Sequence, residues 1–240
     1  MIELFGADTP NVLKVIIALE EMGLEYDLNH FDIVNNKDDP NFRAVNPNGR
    51  VPAIIDSEGV DGTPLPLAES GAILYYLAEK HGAFYPTSLK DRYATMQWLM
   101  FQMSGIGPMF GQYVYFSRRV QNQQHSHDRY VTEVLRLYDV VEKRLGESRF
   151  LACNDYTIAD MATFPPIHYV KVTGMDRSLY PSINRWMAEI AARPAVSRAM
   201  KILGEMDLDA DMSAYPLTED QWDRMFGRGK YSRAASLRHG

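Results

Sequence analysis

Phe5-Gly6-Ala7-Asp8-Thr9-Pro10-Asn11 carries the chain from a strand into a helix. The stretch follows a short apolar run (Ile2, Leu4, Phe5) and leads into an amphipathic one, Val12 to Met22. Thr9 reads as the N-cap and Pro10 as the first helical residue, where a missing N–H breaks no helical bond. Asn11 falls in the first turn, beside unpaired backbone donors and the positive end of the helix dipole. An anion, a thiolate in particular, is stabilised at such a place. Taken alone, the same residues also make an ordinary helix start.

Working outward, Val12, Val15, Ile16, Leu19 and Met22 recur at helical spacing, with Lys14, Glu20 and Glu21 on the other side. Gly23 closes that helix. Tyr26 to Phe31 alternates as a second strand, and residues 35–47 form a polar, Pro-punctuated loop with a short helical turn around Asn41–Val45. Val51-Pro52-Ala53-Ile54-Ile55 is a strand beginning with a proline, which is tolerated at a strand's first position or on an edge. Asp56 to Thr63 reads as a hairpin turn, Leu65-Pro66-Leu67 as a last strand, and Glu69-Ser70 as the opening of a helix through Lys80. The order β-α-β, loop, β-β-α is that of a thioredoxin-like domain.

After a Pro-containing linker, Ala83 to Ser88, the pattern becomes helical throughout. Ser88 with Asp91 resembles a capping box that starts a long helix through Trp98 and Met103. Gly105, Gly107 and Pro108 are expected to kink or interrupt it before Met109–Tyr115. Gln121 to His127 reads as a polar break and Asp128 to Leu145 as a strongly periodic helix. Thr157-Ile158-Ala159-Asp160 is a second capping box, and Pro181 and Pro194 sit at the first turns of two further helices. Thr218-Glu219-Asp220-Gln221 caps a short segment whose Trp222, Met225 and Phe226 suggest docking over a cleft. The end, Arg228–Gly240, is basic, small and expected to be loose. The expected units are residues 1–82, thioredoxin-like; 89–203, all-helical; and 204–240, a C-terminal extension.

The 240 residues are ample for a sizeable core, and a net charge of −6 argues against nucleic acid as a partner. No basic-then-apolar leader precedes the first strand, and no apolar run reaches the ~18 residues of a membrane span. A single cysteine, Cys153, rules out an intrachain disulfide and fits a reducing compartment, so the cytoplasm is the expected location. The six histidines lack metal-ligand spacing, so no metal is expected.

An α/β thioredoxin-like half followed by an all-α half resembles the glutathione transferase family over at least residues 1–203. Val51-Pro52 before a strand, Glu69-Ser70 opening a helix and Thr157–Asp160 as a buried capping box carry the likeness. Thr9-Pro10-Asn11 and Gly105-Ile106-Gly107-Pro108-Met109 look like the bacterial nu class and related fungal proteins. The nu class is implied to reduce disulfides with glutathione as cosubstrate, and the family to be homodimeric.

The resemblance implies a cis Val51–Pro52 bond, with Val51's backbone exposed to an extended peptide by strand addition. On the residues alone, an ordinary edge strand is equally open. It implies Ser70 and a neighbouring N–H for the γ-glutamyl carboxylate, and Glu69 for the ammonium; a plain helix cap is the alternative. Arg50 and Lys37 would meet the glycyl carboxylate, where solvated loop charges are the bland reading. Arg129, in Asp128-Arg129-Tyr130, would reach the site from the helical half, its alternative being a surface arginine.

A free thiol has a pKa of ~8.5, and lowering it two units takes about 2.7 kcal/mol of preference for the anion. One hydrogen bond to a charged group supplies roughly 1.5–3 kcal/mol, so the Thr9 hydroxyl and the Asn11 amide suffice without a protein base. Residues 5–11 hold no Tyr, Ser or Cys, and Cys153 lies in the helical half, where a buried or incidental role is expected. The reactive sulfur must therefore come with the ligand. Two other functions stay open: conjugation of glutathione to a small electrophile, and a non-catalytic interaction module.

Overall fold

β1 (Ile2–Gly6) is central in a four-stranded mixed sheet because both of its edges find partners. A computed structural model describes residues 1–36, 38–118, 122–203 and 218–232. β1 runs parallel to β2 (Tyr26–His30), Ile2 facing Tyr26, and antiparallel to β3 (Ala53–Asp56), Phe5 facing Ala53. β4 (Leu65–Ala68) pairs antiparallel with β3, giving the order β2-β1-β3-β4. Pro66 falls on this edge strand, and Pro52 precedes the first ladder residue, so neither removes a central hydrogen bond.

Three helices complete this half: α1 (Pro10–Met22), α2 (Pro40–Val45) and α3 (Ser70–His81). Gly23 and Gly82 end α1 and α3 at φ of 64° and 62°, the left-handed conformation that glycine adopts without penalty.

α1 departs from the one-faced helix expected from its periodicity. Every residue from Val12 to Leu19 is buried, including Lys14, which is only 1 % exposed. The physical reason is that α1 has neighbours on both sides: α3 on one, and α7 and α9, described next, on the other. The polar side of the pattern is thus an interface between the two halves. Glu20 and Glu21 stand at its rim, where Arg198 meets Glu20 at 2.7 Å and Arg193 meets Glu21 at 2.5 Å.

The second half is helical: α4 (Leu89–Phe101), α5 (Gly107–Arg118), α6 (Gln124–Glu147), α7 (Ile158–Tyr169), α8 (Pro181–Ala191) and α9 (Pro194–Ile202). Ser88 Oγ accepts from Asp91 N at 3.5 Å, one half of the expected box. The expected interruption at Gly105–Pro108 is a π-turn, Gln102–Ile106, that joins α4 to α5 without a break. Pro108 has no N–H to return to the preceding turn, and the π-turn takes up the change of register. α6 begins at Gln124, inside the expected polar break; Gln124 Nε2 donates to Asp128 Oδ1 at 2.7 Å, so polar residues there build an exposed first turn.

α7 is the axis of this half, its residues Ile158 to Ile167 all buried. α10 (Glu219–Phe226) starts at a capping box of Thr218 and Gln221. Its Phe226 ring lies 4.9 Å from Tyr115, and Arg224 donates to the Asn35 carbonyl at 3.4 Å. The helix thus ties α5 to the loop after β2. The stretch after it is less loose than expected as far as Ser232: Tyr231 Oη donates to Asp220 at 2.9 Å. Among the described residues no helix is long and apolar enough to cross a membrane.

Candidate active site

Thr9 has extended backbone angles, φ −139° and ψ 150°, and its Oγ1 accepts from Val12 N at 3.2 Å. That cap uses a lone pair, so the hydroxyl proton stays available for donation outward. No acidic residue lies in the first turn. Asn11 is exposed, and its side chain makes no hydrogen bond among the described residues. As a second-position residue its N–H also has no intrahelical acceptor. A hydroxyl, an amide and a backbone N–H are thereby presented together at the positive end of α1.

The sheet brings two further segments to this end. Phe5 faces Ala53 and Ala53 faces Ala68, so the end of β1, the start of β3 and the end of β4 coincide. The Val51–Pro52 bond is cis, and Val51 precedes the ladder on both sides, leaving its backbone outside the sheet pairing. Arg50 is exposed, and its carbonyl accepts from Asn46 Nδ2 at 2.6 Å.

Glu69 occupies the cap position of α3 with φ at 69°, a left-handed conformation unusual for a residue with a side chain, and makes no side-chain cap bond. Its carboxylate accepts from Asn48 Nδ2 at 3.4 Å. Ser70 is the first helical residue, buried, with Oγ donating to Met103 Sδ at 3.8 Å, so its hydroxyl is not spent on capping. Gly71 leaves room for the same side chain: a Cβ there would lie 2.9 Å from Met103 Sδ, and the methionine would have to shift.

Thr9, Asn11, Arg50, Val51, Pro52, Glu69 and Ser70 thus gather at one sheet end. Arg129 does not join them through any described contact: it is exposed near the start of α6 and pairs with Glu133 of its own helix at 3.5 Å. Lys37 lies outside the described residues. Residues the sequence reading missed support the cluster. Asn46, 3 % exposed, holds both Asn48 N and the Arg50 carbonyl, fixing the turn into Val51. Its signal was an Asn-Pro-Asn-Gly run before Arg50; Met103, 33 positions from Ser70, had none. Cys153 is half-buried beyond α6, and burial pushes its thiol up.

Comparison with known proteins matches residues 9–80 to the glutathione S-transferase N-terminal domain and residues 96–194 to its C-terminal domain. Disulfide-bond oxidoreductase YfcG of Escherichia coli (strain K12) is 41% identical over 203 residues, covering 83% of this chain and 94% of that one. A glutathione transferase family member from Pseudomonas fluorescens, solved with two glutathione bound, is 42% identical with a TM-score of 0.76, covering 82% of this chain and 91% of that one. A glutathione transferase from Pseudomonas putida, solved with one glutathione disulfide per subunit, is 40% identical with a TM-score of 0.78, covering 85% of this chain and 92% of that one. With its thioredoxin-like sheet, its helical second half and these relatives, the chain belongs to the glutathione S-transferase family.

Proposed function

We propose that this protein is a glutathione-dependent disulfide-bond oxidoreductase that stabilises the ligand's thiolate at the start of α1. The observation that carries the reading is the open end of that helix: Thr9 and Asn11 offer donors, and residues 5–11 contain no Tyr, Ser or Cys to act as the nucleophile. The glutathione sulfur ionises by losing its proton to solvent, the anion accepting from Thr9 Oγ1 and Asn11. Val51 pairs with the peptide backbone of the ligand, and Ser70 at the start of α3 receives its γ-glutamyl carboxylate. Glu69 takes the ammonium, and Arg50 with Lys37 the glycyl carboxylate. Arg129 approaches from α6 by rearranging its exposed ion pair with Glu133.

The thiolate attacks one sulfur of a small disulfide. A glutathione–substrate S–S bond forms, the substrate S–S bond breaks, and the departing thiolate takes a proton from solvent. A second glutathione thiolate attacks the mixed disulfide at the glutathione sulfur, giving glutathione disulfide and the second substrate thiol. Two electrons pass from two glutathiones to the substrate. The relatives solved with two glutathiones or with glutathione disulfide support this stoichiometry.

The same thiolate would add to an electrophile, so conjugation is the second reading. A disulfide-exchange assay run beside chlorodinitrobenzene conjugation separates the two, and fast conjugation without disulfide reduction sinks the first. If the protein does not bind glutathione at millimolar concentration, it is instead a non-catalytic module of this fold. We also propose a cytoplasmic homodimer. Leu89, Tyr93 and Met100 on one side of α4 are exposed at 71%, 73% and 49%, an apolar face for a second copy. A monomeric mass by light scattering refutes it.

A further inference from the structure

Lys14 lies one turn beyond Asn11, within a run from Val12 to Leu19 that is buried throughout. Its Nζ donates to Gln102 Oε1 at 3.1 Å, a neutral acceptor, and burial pulls its ammonium down from 10.5 to about 7. A buried ammonium without a carboxylate disfavours folding, and an apolar side chain of similar volume would not. Most charged groups on the elements around α1 are engaged elsewhere, and His81 on α3 and Lys201 on α9 are exposed. On α3, Lys80 and Tyr76 bind Asp56, and Glu79 pairs with Arg92 from α4. On α7, Asp160 is held by Trp186 and Thr157, and His168 stacks on Phe164. Arg193 and Arg198, before and on α9, bind Glu21 and Glu20.

Gln102 opens the π-turn, its carbonyl accepting from Gly107 N. Its Nε2 is buried without a hydrogen-bond partner among the described residues, 3.1 Å from where a Cβ on Gly107 would sit. The next residue, Met103, is the one that meets Ser70 and Gly71. Two consecutive residues of one turn in the helical half therefore reach α1 behind its first turn and α3 at its start.

We propose that Lys14, oriented by Gln102, is a positioning residue of the thiolate site: a buried cation behind the first turn of α1 that favours the ionised sulfur of bound glutathione. The inference rests on the glutathione reading above. Helix side chains lean toward the N-terminus, and residues three apart are neighbours, so the amine lies under the turn that carries Asn11. A sulfur bound there would be on the order of 10 Å away, where a unit charge at an effective dielectric near 20 shifts ionisation by about one pH unit. The coupling is mutual, the sulfur anion raising the proton affinity of Lys14 in turn.

The test titrates the ultraviolet absorbance of the thiolate in glutathione-saturated protein for the parent, Lys14→Met and Gln102→Glu. Lys14→Met is expected to raise the midpoint by about one pH unit, from ~6.5 to ~7.5, and so lower turnover at pH 7 about threefold. The loss is recovered at alkaline pH, and glutathione affinity changes little. Gln102→Glu sets a carboxylate against the amine and is expected to move the midpoint in the same direction. Lys14→Met is also expected to melt higher than the parent, whereas loss of a merely structural clamp would lower melting and leave the midpoint in place. An unmoved midpoint in both variants, with glutathione still bound, overturns this inference alone. A parent that binds no glutathione overturns the functional proposal and this inference together.

Discussion

Three described helices begin with a threonine cap, and two of them, α1 and α7, treat their spare backbone donors in opposite ways. At α7, Thr157 is buried and Asp160 closes the box, accepting from Thr157 N at 3.0 Å and also from Leu151 N and Trp186 Nε1. Burial pushes Asp160 up to about 6, against the pull of those donors. At α1, the residue in the position of Asp160 is Val12, so no carboxylate arrives and the end stays open. A filled helix end locks a fold, and an unfilled one is a vacancy for somebody else's anion. The cap residue alone does not distinguish them; the residue three positions later does.

The largest effect that could break this contrast is on the closed end. Asp160→Ala leaves the Leu151, Thr157 and Trp186 donors unpaired in a dry interior and is expected to destabilise folding by roughly 3–5 kcal/mol in denaturant titration. A loss below ~1 kcal/mol would mean that the box is not structural. Next comes the cation behind the open end. Lys14 titrates near 7 when folded against 10.5 when unfolded, so above pH 7 the unfolded chain binds more protons and stability rises with pH. From pH 7 to 9 the parent is expected to gain about 2–3 kcal/mol relative to Lys14→Met, and parallel stability curves would refute it.

Asn11→Ala is expected to reduce disulfide exchange about a hundredfold while shifting unfolding by less than ~0.5 kcal/mol. Intact activity would remove Asn11 from the thiolate site. The smallest stability change is at the cap. Thr9→Ala is expected to lose about 1 kcal/mol together with activity, and Thr9→Ser to retain both. If Thr9→Ser behaves as Thr9→Ala, the hydroxyl is not the operative group.

Local signals made much of this legible in advance. Thr9 and Pro10, Gly23, Glu69-Ser70 and Thr157–Asp160 each act within one helical turn, and chain order alone then places three segments at one sheet end. What escaped reading depends on partners far along the chain. Lys14 falls on the polar side of α1's pattern, and only the arrival of α7 and α9 makes that side interior. Gln102 and Met103 look like ordinary helix residues until the π-turn aims them at residues 88 and 33 positions away. Asn46 works through loop geometry that has no periodicity to read. Arg129 shows the reverse limit: a residue suggested by resemblance whose described partner is only its neighbour Glu133.

The double burial of α1 has a mechanical consequence. Eight consecutive residues of this helix are packed between α3 and the helical half, so swinging the halves apart would expose the side that faces α7 and α9 to water. Opening a hinge between the halves therefore costs this molecule buried apolar area. The less costly route takes substrates in and products out over a rigid floor, with the motion left to the rim.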